Sequence, residues 1–427
     1  MSAPSPAASP PRRRRGGADP DGPGLRGVLA AAAVGAGLSL SEAGTPAALS
    51  DDQARALARA WGMGESAGTV LVLVDGLGME LLAQRMGHAA TLRSWLAQTR
   101  ADGAVQGAAV STCAPSTTAA ALTMLGTTAL PGATGMVGYS VLSPQVGPVL
   151  PAGSRPHPDQ LLSLISWQGS DIDPGAWQPV PTVFERLRTR GGAPAPAAVS
   201  IGPARFAGSG LTVAGLRGAE HLGADRLEAR PGLAARALRR GTPLVYLYVG
   251  ELDHTGHSHG WRSQEWLAQL ERLDAAMAEL RRRVPSGTRI ILTADHGMVD
   301  TDDRHRLTIP AVPALARDVV AVAGEPRFTH LHVADGDESL AQQVAHRWRE
   351  ELGERAAWVG TRREAAAHLG PLSERARGVV GDVVVAMAGR WVALDPRAHS
   401  AAAMAMPGVH GSLTRDETLV PLLITRT

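Results

Sequence analysis

The 427-residue sequence contains no lysine, so every one of its 42 basic residues is an arginine. We attribute this bias to a GC-rich genome, but the absence also excludes chemistry. No side chain can form the Schiff base of pyridoxal-phosphate enzymes, and none can act as the phosphate-binding lysine of a Walker-type NTPase. Both enzyme classes are therefore removed from consideration.

Cysteine is almost absent as well, since Cys113 is the single one in the chain. No intrachain disulfide can form, which fits a reducing compartment and favours a cytoplasmic location. Cys113 lies shortly before Thr118, and a nucleophilic thiol at this position is an alternative to a hydroxyl nucleophile. Small buried cysteines are usually inert, which favours the hydroxyl.

Aromatic residues make up only 4% of the chain, so the core must consist mainly of Ala, Val and Leu. Hydrophobic residues are 44% and charged residues 19%, as in soluble globular proteins. A chain of this length exceeds one minimal domain. We expect one large α/β body that carries insertions, or two lobes.

The N-terminal region has the composition of a tail. Residues 1–24 are rich in Pro, Ala, Gly and Arg, which predicts disorder. The apolar run 28–40 follows an arginine cluster at 12–15, so an export signal is an alternative to a cytoplasmic location. Asp19 and Asp21 separate the two segments, and Pro and Gly crowd their junction, which argues against a signal.

Two kinds of partner are not expected. The formal net charge is only +2, and part of it belongs to the tail. No basic stripe with interleaved aromatic residues is present, so we predict no binding to a nucleic-acid polymer. No apolar stretch is long enough to cross a bilayer, so we predict no membrane partner. The sequence does not determine the oligomeric state.

Three short apolar runs each end near Asp, Glu or His. They are residues 69–74, Leu244–Val249 and 289–293. Such runs are typical of buried parallel strands that deliver polar residues to one edge of a sheet. An amphipathic helix with Ser263 as its N-cap separates the second run from the third. The pattern predicts an α/β fold with an open, mostly parallel central sheet between helices.

Residues 302–400 have a different pattern and predict a smaller α+β lobe. Strands are expected at 327–333, 357–359 and 382–387, with a helix near 339–351. We interpret this segment as a cap lobe inserted into a catalytic domain that spans 25–427.

Five separate segments carry residues suited to catalysis or metal binding. They are Asp75, the run 114–118 before an Ala-rich helix, the motif 253–259, the pair Asp295-His296, and His410. Each has a plain structural alternative: Asp before Gly is a common turn residue, and Ser116 or Thr117 is a suitable helix cap. Thr118 lies in or near the first helical turn, where free amides favour a phosphate.

Taken together, the segments predict a site for two divalent cations. Asp oxygen and His nitrogen are ligands that Zn²⁺ accepts, and a catalytic ion keeps one position open. Asp253, His257 and His410 would supply one ion with three ligands. A second ion would take another set, completed by the hydroxyl of Thr118: Asp75, Asp295 and His296. Zinc is the expected metal, with Mn, Fe or Mg as alternatives.

The order of these motifs resembles the alkaline phosphatase superfamily, and within it the type I phosphodiesterase/nucleotide pyrophosphatase family. The resemblance covers about residues 65–427. It implies an alkaline-phosphatase-like fold, a metal-dependent hydrolase of small phosphate esters, and a phospho-threonine intermediate. It also implies Thr118 rather than Thr117 as nucleophile, because the family places this residue three positions after a proline, here Pro115.

The chain departs from that family in two places. Ala119-Ala120-Ala121 stands where nucleotide pyrophosphatases have an aromatic residue followed by Pro-Asn, and Tyr139 stands where the family has a phosphate-binding Asn. The resemblance therefore implies phosphodiester or pyrophosphate hydrolysis, without support for stacking of a nucleobase. A phosphomonoesterase, a phosphonate hydrolase and a metal-dependent mutase are alternatives that use the same site.

Overall fold

The computed structural model describes residues 24–146, 150–151, 154, 160–189 and 195–427. The tail predicted over 1–24 lies outside these ranges except for its last residue, so disorder there stays a prediction.

The described residues form helices and strands in the following order along the chain. The helices are α1 Val28–Gly35, α2 Asp51–Ala60, α3 Met79–Arg85, α4 Ala90–Asp102, α5 Thr118–Thr127, α6 Pro131–Thr134, α7 Pro174–Trp177, α8 Val183–Arg186, α9 Gly210–Gly215, α10 Arg230–Arg239, α11 Glu251–His259, α12 Gln264–Arg283, α13 Pro313–Ala316, α14 Glu338–Leu352, α15 Arg362–Leu369, α16 Glu374–Val379, α17 Ala401–Ala405 and α18 Arg415–Thr418. The strands are β1 Ser39–Leu40, β2 Gly68–Val74, β3 Ala109–Ser111, β4 Ser140–Leu142, β5 Leu161–Ser163, β6 Leu187–Arg188, β7 Ala198–Gly202, β8 Glu220–Gly223, β9 Leu244–Val249, β10 Thr288–Thr293, β11 Val299–Asp300, β12 Arg306–Thr308, β13 Val319–Glu325, β14 Phe328–Val333, β15 Ala356–Thr361, β16 Val383–Met387, β17 Val392–Leu394, β18 Gly408–Val409 and β19 Leu419–Arg426.

A seven-stranded sheet forms the centre of the body, with strand order β3-β19-β10-β2-β9-β7-β8. The strands from β10 to β8 run parallel, whereas β19 is antiparallel to both β10 and β3. Every residue of β2 and β10 is buried, because helices cover both faces of the sheet. The mostly parallel sheet predicted from the sequence is confirmed, and its final strand proves to be antiparallel.

The three apolar runs occupy adjacent positions in this sheet. β2 lies between β10 and β9, and both neighbours are parallel to it. The carboxyl ends of all three strands therefore meet at one edge. The amphipathic helix predicted between β9 and β10 is α12. The hydroxyl of its N-cap Ser263 accepts a hydrogen bond from the amide of Trp266, as predicted.

The apolar run 28–40 forms α1 and β1. All eight residues of α1 are buried, and the helix packs against α2 and β2 as part of the main core. Among the described residues, no helix has both the length and the apolar character needed to cross a bilayer.

A second sheet forms the smaller lobe, with strand order β13-β14-β16-β15 and antiparallel pairing throughout. Alternate residues face opposite sides, as strand geometry requires. Phe328 and Val384 pack into the core of the body, whereas Leu331, Val333 and Val385 pack into the lobe's own core beneath α14. The smaller α+β lobe is therefore present. Its limits of 302–400 stay those predicted from the sequence.

Candidate active site

The sheet edge brings the predicted residues together. Asp75 follows β2 directly, Asp295 follows β10 after one residue, and α11 begins two residues after β9. Asp253 and His257 lie one turn apart on α11, so both side chains leave the same face of the helix. His410 comes from the segment that follows β18. Asp75, Asp295 and α11 thus converge because β2, β10 and β9 are neighbours, and the β18 segment adds His410.

One cluster consists of Asp253, His257 and His410. His257 Nε2 lies 3.4 Å from Asp253 Oδ2, and His410 Nε2 lies 3.7 Å from Asp253 Oδ1. The Nε2 atoms of the two histidines are 3.2 Å apart. The structure therefore places these three residues together, in the grouping that the sequence predicted.

A second cluster surrounds His296. Its Nε2 lies 3.4 Å from Asp75 Oδ1, 3.6 Å from Asp295 Oδ2 and 3.1 Å from Thr118 Oγ1. The donor atoms of Asp75, Asp253 and His296 also lie within 4.8 Å of one another. Asp253 is thus shared between the two clusters, whereas the sequence assigned it to one ion alone. The two clusters form one continuous site.

All three histidines are oriented in the same way. Each Nδ1 lies within hydrogen-bond distance of a backbone carbonyl oxygen, namely His257 at 2.8 Å from Gly408, His410 at 3.0 Å from Ser116, and His296 at 2.9 Å from Gly297. A carbonyl oxygen only accepts hydrogen bonds, so the proton is assigned to Nδ1 and each Nε2 presents a lone pair to the site. Metal-binding histidines are held in this way.

The carboxylates supply the remaining donors. One oxygen of each is buried and has no hydrogen-bond partner within the described part of the chain: Asp75 Oδ1, Asp253 Oδ1 and Asp295 Oδ2. A buried carboxylate oxygen without a partner is strongly unfavourable. Three such oxygens facing three nitrogen lone pairs form the mixed oxygen and nitrogen donor set that Zn²⁺ accepts. The residues present therefore fit a pair of divalent cations.

The pKa values of the donor side chains are shifted because these groups are buried close to one another. Burial, followed by repulsion from Asp295 and Asp253, raises the pKa of Asp75 well above its ordinary value. Burial also raises the pKa of Asp295. The pKa of His410 falls well below its usual range because of burial and the neighbouring His296 and His257. Without cations, the buried site thus favours the uncharged forms of these side chains. Bound cations would instead favour the charged form of the carboxylates.

Tyr248 is a residue of the site that the sequence analysis missed. Its hydroxyl donates a hydrogen bond of 2.6 Å to Asp75 Oδ2, which leaves Oδ1 free to face the site. Burial and the charge of Asp75 raise the pKa of Tyr248, so the phenol keeps its proton. The sequence signal that could have identified this residue is its place near the carboxyl end of the buried strand β9.

The segment before α5 is not built as an ordinary helix cap. Helix α5 begins at Thr118, and its N-cap residue Thr117 makes no side-chain capping bond. The hydroxyl of Ser116 instead donates to Ser412 O at 2.7 Å, and the amide of Ser116 donates to Gly411 O at 3.0 Å. This leaves the first amides of α5 without acceptors inside the helix, directly beside the Thr118 hydroxyl.

One alternative from the sequence, a cysteine nucleophile, loses its support. Cys113 is buried, its thiol donates to Pro115 O, and burial raises its pKa to about 12, so no thiolate forms near neutral pH. His254 and His259 of the 253–259 motif are exposed and belong to neither donor cluster. Of the three histidines of that motif, the structure places His257, the ligand predicted from the sequence, with the donors.

Comparison with known proteins supports the resemblance seen in the sequence. The model of the type I phosphodiesterase / nucleotide pyrophosphatase family matches residues 69–413. No curated protein matches the sequence significantly.

Solved structures share the fold. Phosphonoacetate hydrolase from Sinorhizobium meliloti 1021, solved with phosphonoformate, is 18% identical with a TM-score of 0.60, and the match covers 84% of this chain and 90% of that one. Murine ectonucleotide pyrophosphatase/phosphodiesterase 5 is 14% identical with a TM-score of 0.57, covering 83% and 87%. The human counterpart is 14% identical with a TM-score of 0.56, covering 84% and 87%.

These likenesses indicate the fold, and the family model covers most of the chain. The converging donors lie where the motifs of the sequence predicted them. The chain therefore belongs to the type I phosphodiesterase/nucleotide pyrophosphatase family of phosphoric ester hydrolases, within the alkaline phosphatase superfamily.

Proposed function

We propose that this chain hydrolyses small phosphodiesters, of the nucleotide pyrophosphatase type, with Thr118 as nucleophile and two bound divalent cations. The observation that carries the proposal is the donor arrangement around the Thr118 hydroxyl. Three carboxylate oxygens have no hydrogen-bond partner among the described residues, and three Nε2 atoms belong to rings that hold their protons on Nδ1. Zinc is the cation that best fits these donors.

The residues of the chain have distinct tasks in this reaction. Asp75, Asp295 and His296 would hold one cation beside Thr118, and Asp253, His257 and His410 would hold the other. Bound cations supply charge neutralisation and lower the pKa of nearby oxygen nucleophiles. Tyr248 keeps Asp75 oriented through its hydrogen bond. The first amides of α5 donate to the oxygens of the transferring phosphoryl group.

Turnover then takes two displacements at phosphorus. In the first, Thr118 Oγ1 loses its proton and attacks phosphorus, so a P–O bond to the threonine forms while the bond to the first alcohol breaks and that alcohol leaves protonated. In the second, a water oxygen attacks the phospho-threonine, which releases a phosphomonoester and returns the proton to Thr118. Covalent catalysis of this kind divides one difficult step into two easier ones.

Substrate preference depends on what surrounds the phosphoryl site. Ala119, Ala120 and Ala121 are fully buried, so α5 offers no aromatic ring for stacking against a nucleobase. Among the described residues, Tyr139 is the only exposed large apolar side chain, with 51% of its surface accessible. The buried alanines of α5 therefore give no support for a substrate that is defined by its base. A phosphonate substrate is the second candidate, because of the fold shared with phosphonoacetate hydrolase.

One experiment tests the proposal directly. The purified protein is analysed for bound metals and assayed with bis-p-nitrophenyl phosphate, p-nitrophenyl phosphate and phosphonoacetate. We expect about two metal ions per chain and the fastest turnover on the diester. Faster turnover of phosphonoacetate would favour the second candidate. Full activity in a metal-free preparation would overturn the mechanism.

We also propose that the chain acts in the cytoplasm. Its one cysteine cannot form an intrachain disulfide, and the apolar run 28–40 contributes α1 to the main core. Subcellular fractionation of the full chain tests this proposal, and recovery outside the cytoplasm with residues 28–40 removed would contradict it.

A further inference from the structure

The tip of one hairpin of the smaller lobe is buried against the active site. Strands β13 and β14 pair so that Glu325 lies opposite Phe328, with Pro326 and Arg327 between them. The guanidinium of Arg327 is fully buried and binds both carboxylate oxygens of Glu417 at 2.7 Å. Glu417 also accepts a hydrogen bond from the amide of Ser412. The tip is thereby fixed beside the segment that carries His410.

Glu325 extends from this tip into the space between two loops of the site. Its side chain is only 5% exposed. A Cβ atom at Gly411 would lie 2.7 Å from Glu325 Cδ, and one at Gly138 would lie 4.0 Å from Glu325 Oε1. Gly411 also has a φ of +129°, which favours glycine. The segment next to His410 thus leaves room for this carboxyl group.

The same carboxyl group lies beside the nucleophile segment, because Gly411, against which it packs, accepts a hydrogen bond of 3.0 Å from the amide of Ser116. Hydrogen bonding by Thr117 and by the amide of Tyr139 lowers the pKa of Glu325. Glu325 Oε1 is buried and has no hydrogen-bond partner among the described residues. Burial raises the pKa of Glu325 to about 8 in spite of these two donors.

We propose that Glu325 is a positioning residue for the nucleophile, which the smaller lobe contributes to the site. Its carboxyl group holds Thr117 against the Gly411 segment, so that the adjacent Thr118 hydroxyl stays directed at His296. This inference rests on the proposed role of Thr118. It adds a residue from outside the five motifs and assigns the lobe hairpin a part in catalysis.

Two substitutions separate positioning from a general structural role. Glu325→Ala removes the carboxyl group, whereas Glu325→Gln keeps its size and hydrogen-bonding capacity without charge. Glu350→Ala, at an exposed glutamate of the same lobe, is the matched control. A misplaced nucleophile costs up to about 100-fold in rate. We expect Glu325→Ala to lower kcat by about 10- to 100-fold with unchanged KM and metal content, and Glu325→Gln to recover most of that loss.

A double-mutant cycle with Thr117→Val tests whether the effect passes through Thr117. If it does, the double variant with Glu325→Ala should be about as slow as the slower single variant. Fully additive losses would overturn the proposal. So would wild-type kcat in Glu325→Ala, or loss of metal in Glu325→Gln.

Hydrogen exchange provides a readout that does not depend on substrate. We expect faster exchange in the peptide that contains residues 115–121 for Glu325→Ala, and wild-type exchange for Glu325→Gln and Glu350→Ala. Unchanged exchange in all three variants would contradict positioning. If the wild-type chain failed to hydrolyse any substrate of the panel, the proposed function would be wrong. The exchange result would still decide whether Glu325 orders the Thr117–Thr118 turn.

Discussion

His257 Nε2 and His410 Nε2 lie 3.2 Å apart, although both rings hold their protons on the opposite nitrogen. Neither Nε2 can donate a hydrogen bond to the other, so two lone pairs face each other beside Asp253. In a protein without metal this arrangement is repulsive. A cation between the three side chains turns the same geometry into coordination.

Removal of the Thr118 hydroxyl is expected to separate chemistry from metal binding. Thr118→Ala should lower kcat by at least about 10³-fold, because no other hydroxyl replaces the nucleophile. Metal content should remain close to that of the wild type, since the Asp and His donors are intact. Thr118→Ser should keep part of the activity. Steady-state kinetics and elemental analysis of both variants check this, and kcat within about tenfold of wild type in Thr118→Ala would exclude the covalent mechanism.

Removal of one imidazole is expected to affect the metal first. His410→Ala should lower the metal content from about two ions per chain to about one, with loss of activity as the consequence. The control is His259→Ala, which removes an exposed histidine of α11 that belongs to neither cluster. Elemental analysis distinguishes the two variants. Equal metal content in both would show that His410 is not a ligand.

Chelation is expected to make stability depend on pH. Burial raises the pKa values of Asp75 and Asp295 in the metal-free protein. Because these pKa values are higher in the folded protein than in the unfolded chain, protonation of the two carboxyl groups favours the folded state. This contribution to the free energy of unfolding is complete below the ordinary carboxyl pKa and is lost as pH rises through the raised values. The depressed pKa of His410 acts in the opposite direction, but only at acidic pH.

The comparison is therefore made as pH rises from the ordinary carboxyl pKa upward. The Tm of chelated protein should fall as the two carboxyl groups lose their protons, whereas saturating metal should stabilise the fold by roughly 3 kcal/mol at 100 times Kd and reduce that fall. Calorimetry with and without chelator measures both curves. Parallel curves would show that Asp75 and Asp295 do not interact with the bound cations.

Cys113 is expected to take no part in the reaction. Its pKa of about 12 keeps the thiol protonated, and the side chain is buried. The native protein should not react with thiol reagents near pH 8, although the unfolded chain should react at once. Cys113→Ala should keep wild-type kcat. A large fall in kcat with full metal content would restore the thiol as a candidate nucleophile.

Much of this site could be predicted from the sequence because its signals are local. The apolar runs that became β2, β9 and β10 each end shortly before a donor residue, and neighbouring parallel strands end at the same edge. The spacing of Asp253 and His257 places both on one face of α11. For this reason the seven predicted site residues meet in space.

Other features depend on distances between segments that are remote in sequence, and no local pattern encodes them. Asp253 lies between both clusters because α11 brings it against Gly76, just after β2. Tyr248 reaches Asp75 only because β9 pairs with β2 in a particular register.

The sequence by itself determined the donor types, their order and the strands that carry them, because hydrophobic periodicity and short spacings act over a few residues. The tertiary structure alone decided that Asp253 lies between both clusters and that Glu325 of the lobe lies against Gly411, beside the nucleophile segment. These contacts depend on the packing of whole elements against one another, which is a property of the complete fold.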